Sequence, residues 1–476
     1  MNRSLTTTIS LLTAAVLAAC TNLAPEVQRP ALPVPDAWPS GPSYAAANEQ
    51  GLAAADLAWQ EFIADPRLRE LITLALAQNR DLRVAALQIE RARALYQIER
   101  ADRFPSVDAS ASLSAQRIPA GLSPSGQRTT QRQYEAGIGF SRYELDLFGR
   151  VRNLNEQALQ AYFSTAEARR SVHISLIAEV ANAYLTLAAD RERLQLARRT
   201  FDVQHGAFVL IQRRNELGAA SQLDVRRAQT TVDAARADVA RFTAVVAQDE
   251  NALALLVGAP LRAEWVPEGL APVASVTDVP TGVPSQVLAR RPDIRQAEHR
   301  LQAAHASIGA ARAAFFPSVT LTAAGGVASS TLSDLFRAGS GAWSFMPQVS
   351  LPIFDGGRNR ATLQATEIER DITLAEYERA IQGAFREVAD ALAARGMLGE
   401  QLGAQQLLVE AAADSHRLSD IRFRQGAESY LAVLDAQRSL YAAQQDLITV
   451  RLSRLANQVT LYKVLGGGWS GPALAG

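Results

Sequence analysis

The sequence predicts an α+β protein laid out twice, with amphipathic strand pairs set between very long helices. Three observations carry this: segments recur at a fixed distance, proline is missing from long tracts rich in Ala, Leu, Gln, Arg and Glu, and period-two alternation falls only between those tracts. Asp81, Phe104, Pro105, Ser106 and Val107 return 212 residues later as Asp293, Phe316, Pro317, Ser318 and Val319. The offset then becomes 208, so that Gly149-Arg150 returns as Gly357-Arg358 and Glu179-Val180-Ala181 as Glu387-Val388-Ala389. A period this long exceeds any solenoid unit, so each half is a module and the chain should have pseudo-twofold internal symmetry.

Residues 1–19 read as a signal peptide: Met1-Asn2-Arg3 is a short basic start, Ile9 to Ala18 an apolar core, and Leu17-Ala18-Ala19 the small residues of a cleavage site. Directly after it stands Cys20, the only cysteine, and the site resembles a bacterial lipobox. A lone thiol here cannot make an internal disulfide and is better explained as an acyl anchor. Thr21 and Asn22 follow, and the lack of an Asp resembles sorting to the outer membrane. Residues 20–65 then form a lipidated N-terminal segment.

Composition removes several classes of function. Forty-eight basic residues balance 48 acidic ones, which argues against nucleic acid as a partner. Lys463 is the only lysine, which excludes a P-loop and Schiff-base chemistry. The five histidines and three methionines have no metal-ligand spacing, and no nucleophilic constellation is present, so no catalytic residue, metal site or cofactor is expected beyond a covalent lipid on Cys20. No apolar run outside the signal peptide is expected to cross a membrane as a helix.

The first repeat, 66–257, opens with a helix, followed by a strand pair at 105–115 and 134–147. Val107, Ala109, Ala111, Leu113 and Ala115 alternate there with Ser106, Asp108, Ser110, Ser112 and Ser114, and Tyr134, Ala136, Ile138 and Phe140 alternate with Gly and Ser. No proline lies between Pro124 and Pro260, which leaves room for a helix at 150–217, about 100 Å long at ~1.5 Å per residue, and another at 222–257. Residues 258–283 are a proline-rich linker. The second repeat, 284–465, predicts a helix, strands at 317–327 and 343–354, a long helix at 358–425 and a last helix at 429–465, before a tail at 466–476. Strands of this kind suit a transmembrane barrel, apolar to lipid and polar to lumen, as well as a soluble sheet packed on one face. Four strands cannot close a barrel, so several copies would have to contribute.

The final helix of each repeat carries heptads. Val225, Ala228, Val232, Ala235, Val239, Phe242, Val246, Asp249, Leu253 and Leu256 alternate spacings of three and four, and the positions 208 later repeat them, which predicts coiled-coil packing. The polar breaks at Asp249, Arg454 and Asn457 face either solvent or a lumen. Between the helices, Gly218 suits a left-handed helix end, and Ser221 with Asp224 reads as a capping box. Gly426 and Ser429 are expected to repeat that geometry, with Ala432 in place of the acid.

The run Arg290-Arg291-Pro292-Asp293-Ile294, Ala297-Glu298, Leu301, Ile308 to Ala313 and Phe315 to Val319, followed by Phe354-Asp355-Gly356-Gly357-Arg358, resembles the TolC-like outer membrane factors, in the lipoprotein branch that serves multidrug efflux. The resemblance spans essentially the whole mature chain. It implies a homotrimer with four strands per chain in one twelve-stranded transmembrane β-barrel, continued by a long α-helical coiled-coil periplasmic barrel, with equatorial regions at 20–65 and 258–283. It further implies a passive outer-membrane exit duct for small molecules, held in outer-membrane lipid and working with a periplasmic adaptor and an inner-membrane pump of the RND type. By the same resemblance the two turns are periplasmic tips. Gly218, Ser221, Leu223, Gly426 and Ser429 would dock the adaptor, while Leu431, Asp435, Phe423 and Asp224 would form the periplasmic gate; the family's tip arginine is replaced by Glu428. Metal-ion efflux and type I protein secretion are alternative services. A periplasmic adaptor or a structural coiled-coil lipoprotein is disfavoured, because neither needs duplicated strand pairs.

Overall fold

A computed structural model describes residues 22–26, 31–44, 53–270, 280 and 282–469. Residues 1–19, which the sequence reading expects to be a signal peptide, and Cys20 lie outside the described residues. In chain order the elements are α1 (Trp59–Phe62), α2 (Pro66–Gln78), α3 (Arg80–Ala101), β1 (Asp108–Ile118), β2 (Thr129–Leu145), α4 (Arg150–Glu216), α5 (Gln222–Val257), α6 (Pro284–Arg290), α7 (Pro292–Ala313), β3 (Ser318–Ser329), β4 (Gly341–Ser350), α8 (Arg358–Arg424) and α9 (Tyr430–Val464). The strands differ most from expectation. β1 begins and ends three residues later, β2 begins five residues earlier and ends two earlier, and β4 stops at Ser350 rather than 354.

The chain folds as two units. The first, 88–166 and 296–377 with the N-terminal residues, holds a four-stranded antiparallel sheet in the order β1-β2-β3-β4. Directly opposed residues share a face, so the register sorts the side chains. One face carries Leu113, Tyr134, Ala136, Ile138 and Phe140, then Leu321, Ala323, Phe345 and Trp343. The other carries Ser110, Ser112, Ser114, Gln133, Glu135, Thr320, Gln348 and Ser350. Between Phe140 and Tyr143 the β2 register shifts by one residue against Ala323 and Leu321, and Arg142 adopts φ 56°. Its amide donates to Thr322 Oγ1 at 3.2 Å. This bulge absorbs the one residue that would otherwise place Arg142 on the apolar face and Tyr143 and Leu145 on the polar one.

Both exits from this sheet into helix are capped by aspartate. Asp146 accepts from the Val151 and Arg152 amides at 3.1 and 2.8 Å, and Asp355 accepts from Gly357 and Asn359 at 2.9 and 2.8 Å. Beside the first exit, Asn22 Oδ1 accepts from the buried Asn153 Nδ2 at 2.8 Å. Gly309 makes room for this contact, since a Cβ there would collide with Asn153 and Ala24.

The second unit, 32–87, 167–295 and 378–476, contains the main hydrophobic core. Tyr184, Leu185, Leu187, Ala188 and Ala189 of α4 meet Leu71, Ile72 and Ala75 of α2, Leu253 and Val257 of α5, Val388 of α8 and Val459 and Tyr462 of α9. Contrary to expectation, α4 does hold a stretch long and apolar enough to cross a membrane; 61 % of it is buried, mostly as part of this core. Alanines at 181, 188 and 189 are fully buried and let the helices approach closely. The sequence pattern Arg290-Arg291-Pro292-Asp293 is a knot here: the buried Arg291 donates to Asp293 and Glu387 at 2.7 Å each and to the Val464 carbonyl at 2.9 Å. Past α9 the chain reverses through Gly466 and Gly468, at φ 84° and 102°, and passes Gly467 over the Tyr462 ring, where any Cβ would collide. Trp469 then lies edge-on to His173 at 5.2 Å and under the Arg170 guanidinium at 5.3 Å.

The heptad breaks have three different fates. Arg454 is exposed, Asn457 donates to the Ala391 carbonyl of α8 at 3.0 Å, and Asp249 faces Asp190 of α4. Only the first is fully exposed, and the other two are half-buried.

Candidate functional site

The two helix-to-helix turns both lie in the second unit, and the structure brings them together. The first half of each is the same. Gly218 and Gly426 take φ 73° and 76°, and each closes a Schellman motif: Ala219 N donates to Arg214 O at 2.7 Å and Gly218 N to Asn215 O at 2.9 Å, while Ala427 and Gly426 repeat this to Arg422 and Phe423 at 2.9 Å each. The left-handed residue has no Cβ penalty only as glycine, which is why the sequence repeats it.

The second half differs, which corrects the expected repetition at Ser429. Ser221 and Asp224 form a reciprocal capping box, with Asp224 N donating to Ser221 Oγ and Ser221 N to Asp224 Oδ2, both at 3.1 Å. Ser429 occupies the cap position of α9 but its side chain caps nothing. Without an acid at 432 there is no group to complete the box.

What holds the start of α9 is a small separate core. Ile211, Val225, Ala228, Tyr430, Val433 and Leu434 are buried together, with Phe208, Ala220 and Phe423 packed against them. Phe423 stands 5.3 Å from the Tyr430 ring, and the Arg214 guanidinium lies 5.1 Å over it, joining the first turn to the second. Burial, and after it the charge of Asp224, pushes the Tyr430 hydroxyl up to about 12. Sequence reasoning named Phe423 and Asp224 but missed Arg214 and Tyr430. The signal was the pairing of Val225 with Val433 in the duplicated heptads, which places the two turns side by side.

The remaining candidate residues are arranged as follows. Leu431 and Asp435 are exposed and four apart on α9, so they share a face. Asp435 is paired with Arg438 one turn on. Leu223 is also exposed, Glu428 pairs with Arg422 of its own turn at 3.1 Å, and the Asp224 carboxylate accepts from Ser221. Among the described residues no group of three His, Cys, Asp or Glu is placed to hold a metal.

A sheet with one apolar face and two open edges, left through two aspartate-capped helices that end in paired turns, defines a β-barrel channel subunit with a helical extension. Residues 71–259 and 283–467 match the outer membrane efflux protein family, one segment in each repeat, and the chain belongs to that family: it is an outer-membrane efflux duct. It is 49 % identical over 457 residues, 96 % of this chain and 94 % of the other, to the probable efflux pump outer membrane protein TtgC of Pseudomonas putida. To the outer membrane protein OprJ of Pseudomonas aeruginosa it is 45 % identical over 462 residues, covering 97 % and 95 %. Among solved structures it is similar to a membrane protein from Pseudomonas aeruginosa, at 42 % identity and TM-score 0.88 over 94 % of this chain and all of that one. It is similar too to the open state of the Neisseria gonorrhoeae MtrE outer membrane channel, at 37 % identity and TM-score 0.85 over 94 % and 98 %.

Proposed function

We propose that the mature chain is lipidated at Cys20 and assembles as a homotrimer. In it three four-stranded sheets close one twelve-stranded barrel, forming a passive exit for small toxic molecules delivered by a periplasmic adaptor and an inner-membrane pump of the RND type. The observation that carries this reading is the sheet itself. β1 and β4 are both unpaired edges, and Trp343, Phe345, Val349, Leu113 and Ile138 are all more than half exposed on its apolar face. In hydrocarbon the face is favourable and the edges are not, so each edge needs the opposite edge of another copy. A groove of about 560 Å³ between α3 and α4, with Leu95 and Ile98 exposed along it, supports a helix of a neighbouring copy packing there too. Relatives named as antibiotic, toluene and solvent efflux pump outer membrane proteins favour drugs and solvents as cargo over metal ions or secreted proteins.

Threefold symmetry would bring Leu431 and Asp435 to one axis, as an apolar ring that resists wetting beside an acidic ring that prefers cations. The surrounding positions Gly218, Ser221, Leu223, Gly426 and Ser429 are then free to meet the adaptor. The test is a mass measurement on detergent-extracted protein followed by planar-bilayer recording. A trimer is expected, and Leu431→Ala with Asp435→Ala should raise single-channel conductance several-fold and weaken cation block at unchanged trimer yield. A monomer would end the pooled-barrel reading, and unchanged conductance would leave the turns with docking alone.

A further inference from the structure

Asp249 is the one break in the heptad seam of α5, and its surroundings are unusual for a carboxylate. Every other seam position from Val225 to Leu256 is apolar and buried or half-buried. Asp249 points across this seam at Asp190 of α4, which is itself buried, and the two carboxyl groups are in hydrogen-bonding contact. Asp190 has a base to answer it: Arg193 Nη1 donates to its Oδ1 at 2.7 Å, while Arg193 Nη2 donates to Thr449 Oγ1 of α9 at 2.8 Å. Asp249 has none, and its Oδ2 is buried without a partner. Two residues further along α4, Glu192 is committed to Arg451 at 2.7 Å and to the Leu270 amide at 3.2 Å. One arginine therefore serves two carboxyl groups, and its second nitrogen is already spent on α9.

Two carboxylates in contact, one buried and the other half-buried, cannot both ionise without repulsion, whereas one proton between them makes a charge-assisted hydrogen bond. We propose that Asp190 and Asp249 form a proton-operated latch between α4 and α5, fastened when they share one proton and loosened when both are charged. In the fastened state the Asp249 hydroxyl donates to the Asp190 carboxylate, and Asp190 keeps its contact with Arg193. In the loosened state the proton passes to solvent and the seam carries two negative charges against one positive. Burial, followed by the bond to Asp190 and its charge, raises the Asp249 carboxyl to about 6, with Arg193 opposing. A carboxyl raised in the folded state stabilises the fold most in acid, below the ordinary carboxylate range, and loses that stabilisation as pH rises through about 6. The first helical hairpin is thus held tightly in an acid periplasm and more loosely near neutrality. This does not depend on where the gate lies.

Hydrogen exchange on the full-length protein in detergent, at about pH 5 and pH 7.5 and corrected for intrinsic rates, tests it directly. Protection of the α5 amides from 246 to 257 should fall about tenfold between the two conditions. In Asp249→Asn the same amides should be equally protected at both, because the amide can donate to Asp190 at any pH. Equal protection of the parent at both conditions, or a variant that keeps the dependence, would overturn the latch. If Asp249→Asn does not fold, the parent still decides. An infrared band of a protonated carboxyl that is lost as pH rises through about 6 supports the proposal, and the absence of any such band sinks it.

Discussion

Ser221 and Ser429 occupy equivalent places in the two repeats, yet only the first bonds back to its helix. The difference rests on position three of the following helix, Asp224 in one case and Ala432 in the other. Ser221→Ala should therefore cost about 1 kcal/mol in opening the first turn of α5, while Ser429→Ala should leave the first turn of α9 within a few tenths. Amide exchange of residues 222–226 and 430–434 reads both changes. The glycines were legible from sequence because a left-handed residue without a Cβ is close to a requirement. The missing cap was legible only in part, because a serine announces the ability to cap and not the partner that completes the bond. Arg291 is a related case. Its place in the Arg290-Arg291-Pro292-Asp293 run carries the family resemblance, but only the fold brings Glu387 and the Val464 carbonyl to it.

At the scale of elements, the helices were the most legible, because a proline-free tract of good helix formers leaves few alternatives. The α5 seam follows its heptads closely. In α9 the residues buried beside the polar breaks at Arg454 and Asn457 are Leu455, Val459 and Tyr462, because α9 answers to the main core as well as to its hairpin partner. In the strands the alternation gave the two faces, but not the bulge at Ser141 and Arg142. A single inserted residue is invisible to a period-two pattern when the residue before it is polar in either register. The extra residue can be removed without turning the strand over, but two cannot. Deleting Arg142 alone leaves Tyr143 two positions after Phe140, on the same face and opposite Leu321, whereas deleting Ser141 and Arg142 together sets Tyr143 next to Phe140 and turns Glu144 to the apolar side. The expected result is a heat-resistant oligomer on gels after membrane extraction from the single deletion and from Arg142→Gly, which suits φ 56°, and its loss from the double deletion.

For the molecule as a whole, the duplication and the strand–helix order were readable from the first pass, and the closure of the second unit was not. Tyr462 stacks on Phe62 at 3.9 Å with the rings 9° from parallel, and its hydroxyl donates to the Leu57 carbonyl at 2.6 Å. No local pattern links residues 405 positions apart. Removing 465–476 should leave the protein far more sensitive to limited proteolysis within 54–87 and 176–197, the segments that share this core. Resistance equal to the full chain would show that the terminal glycines and Trp469 contribute nothing to holding it. The same contact also sets an order in time. The core of the second unit needs α1 and α2 together with the Tyr462 to Trp469 stretch, which is completed only after α9. The earlier segments have no complete partner until the last turn of α9 emerges. Folding of this unit is therefore bound to follow export of everything through α9, and a chain interrupted before it leaves the apolar residues of α1 and α2 uncovered for any periplasmic protease to find.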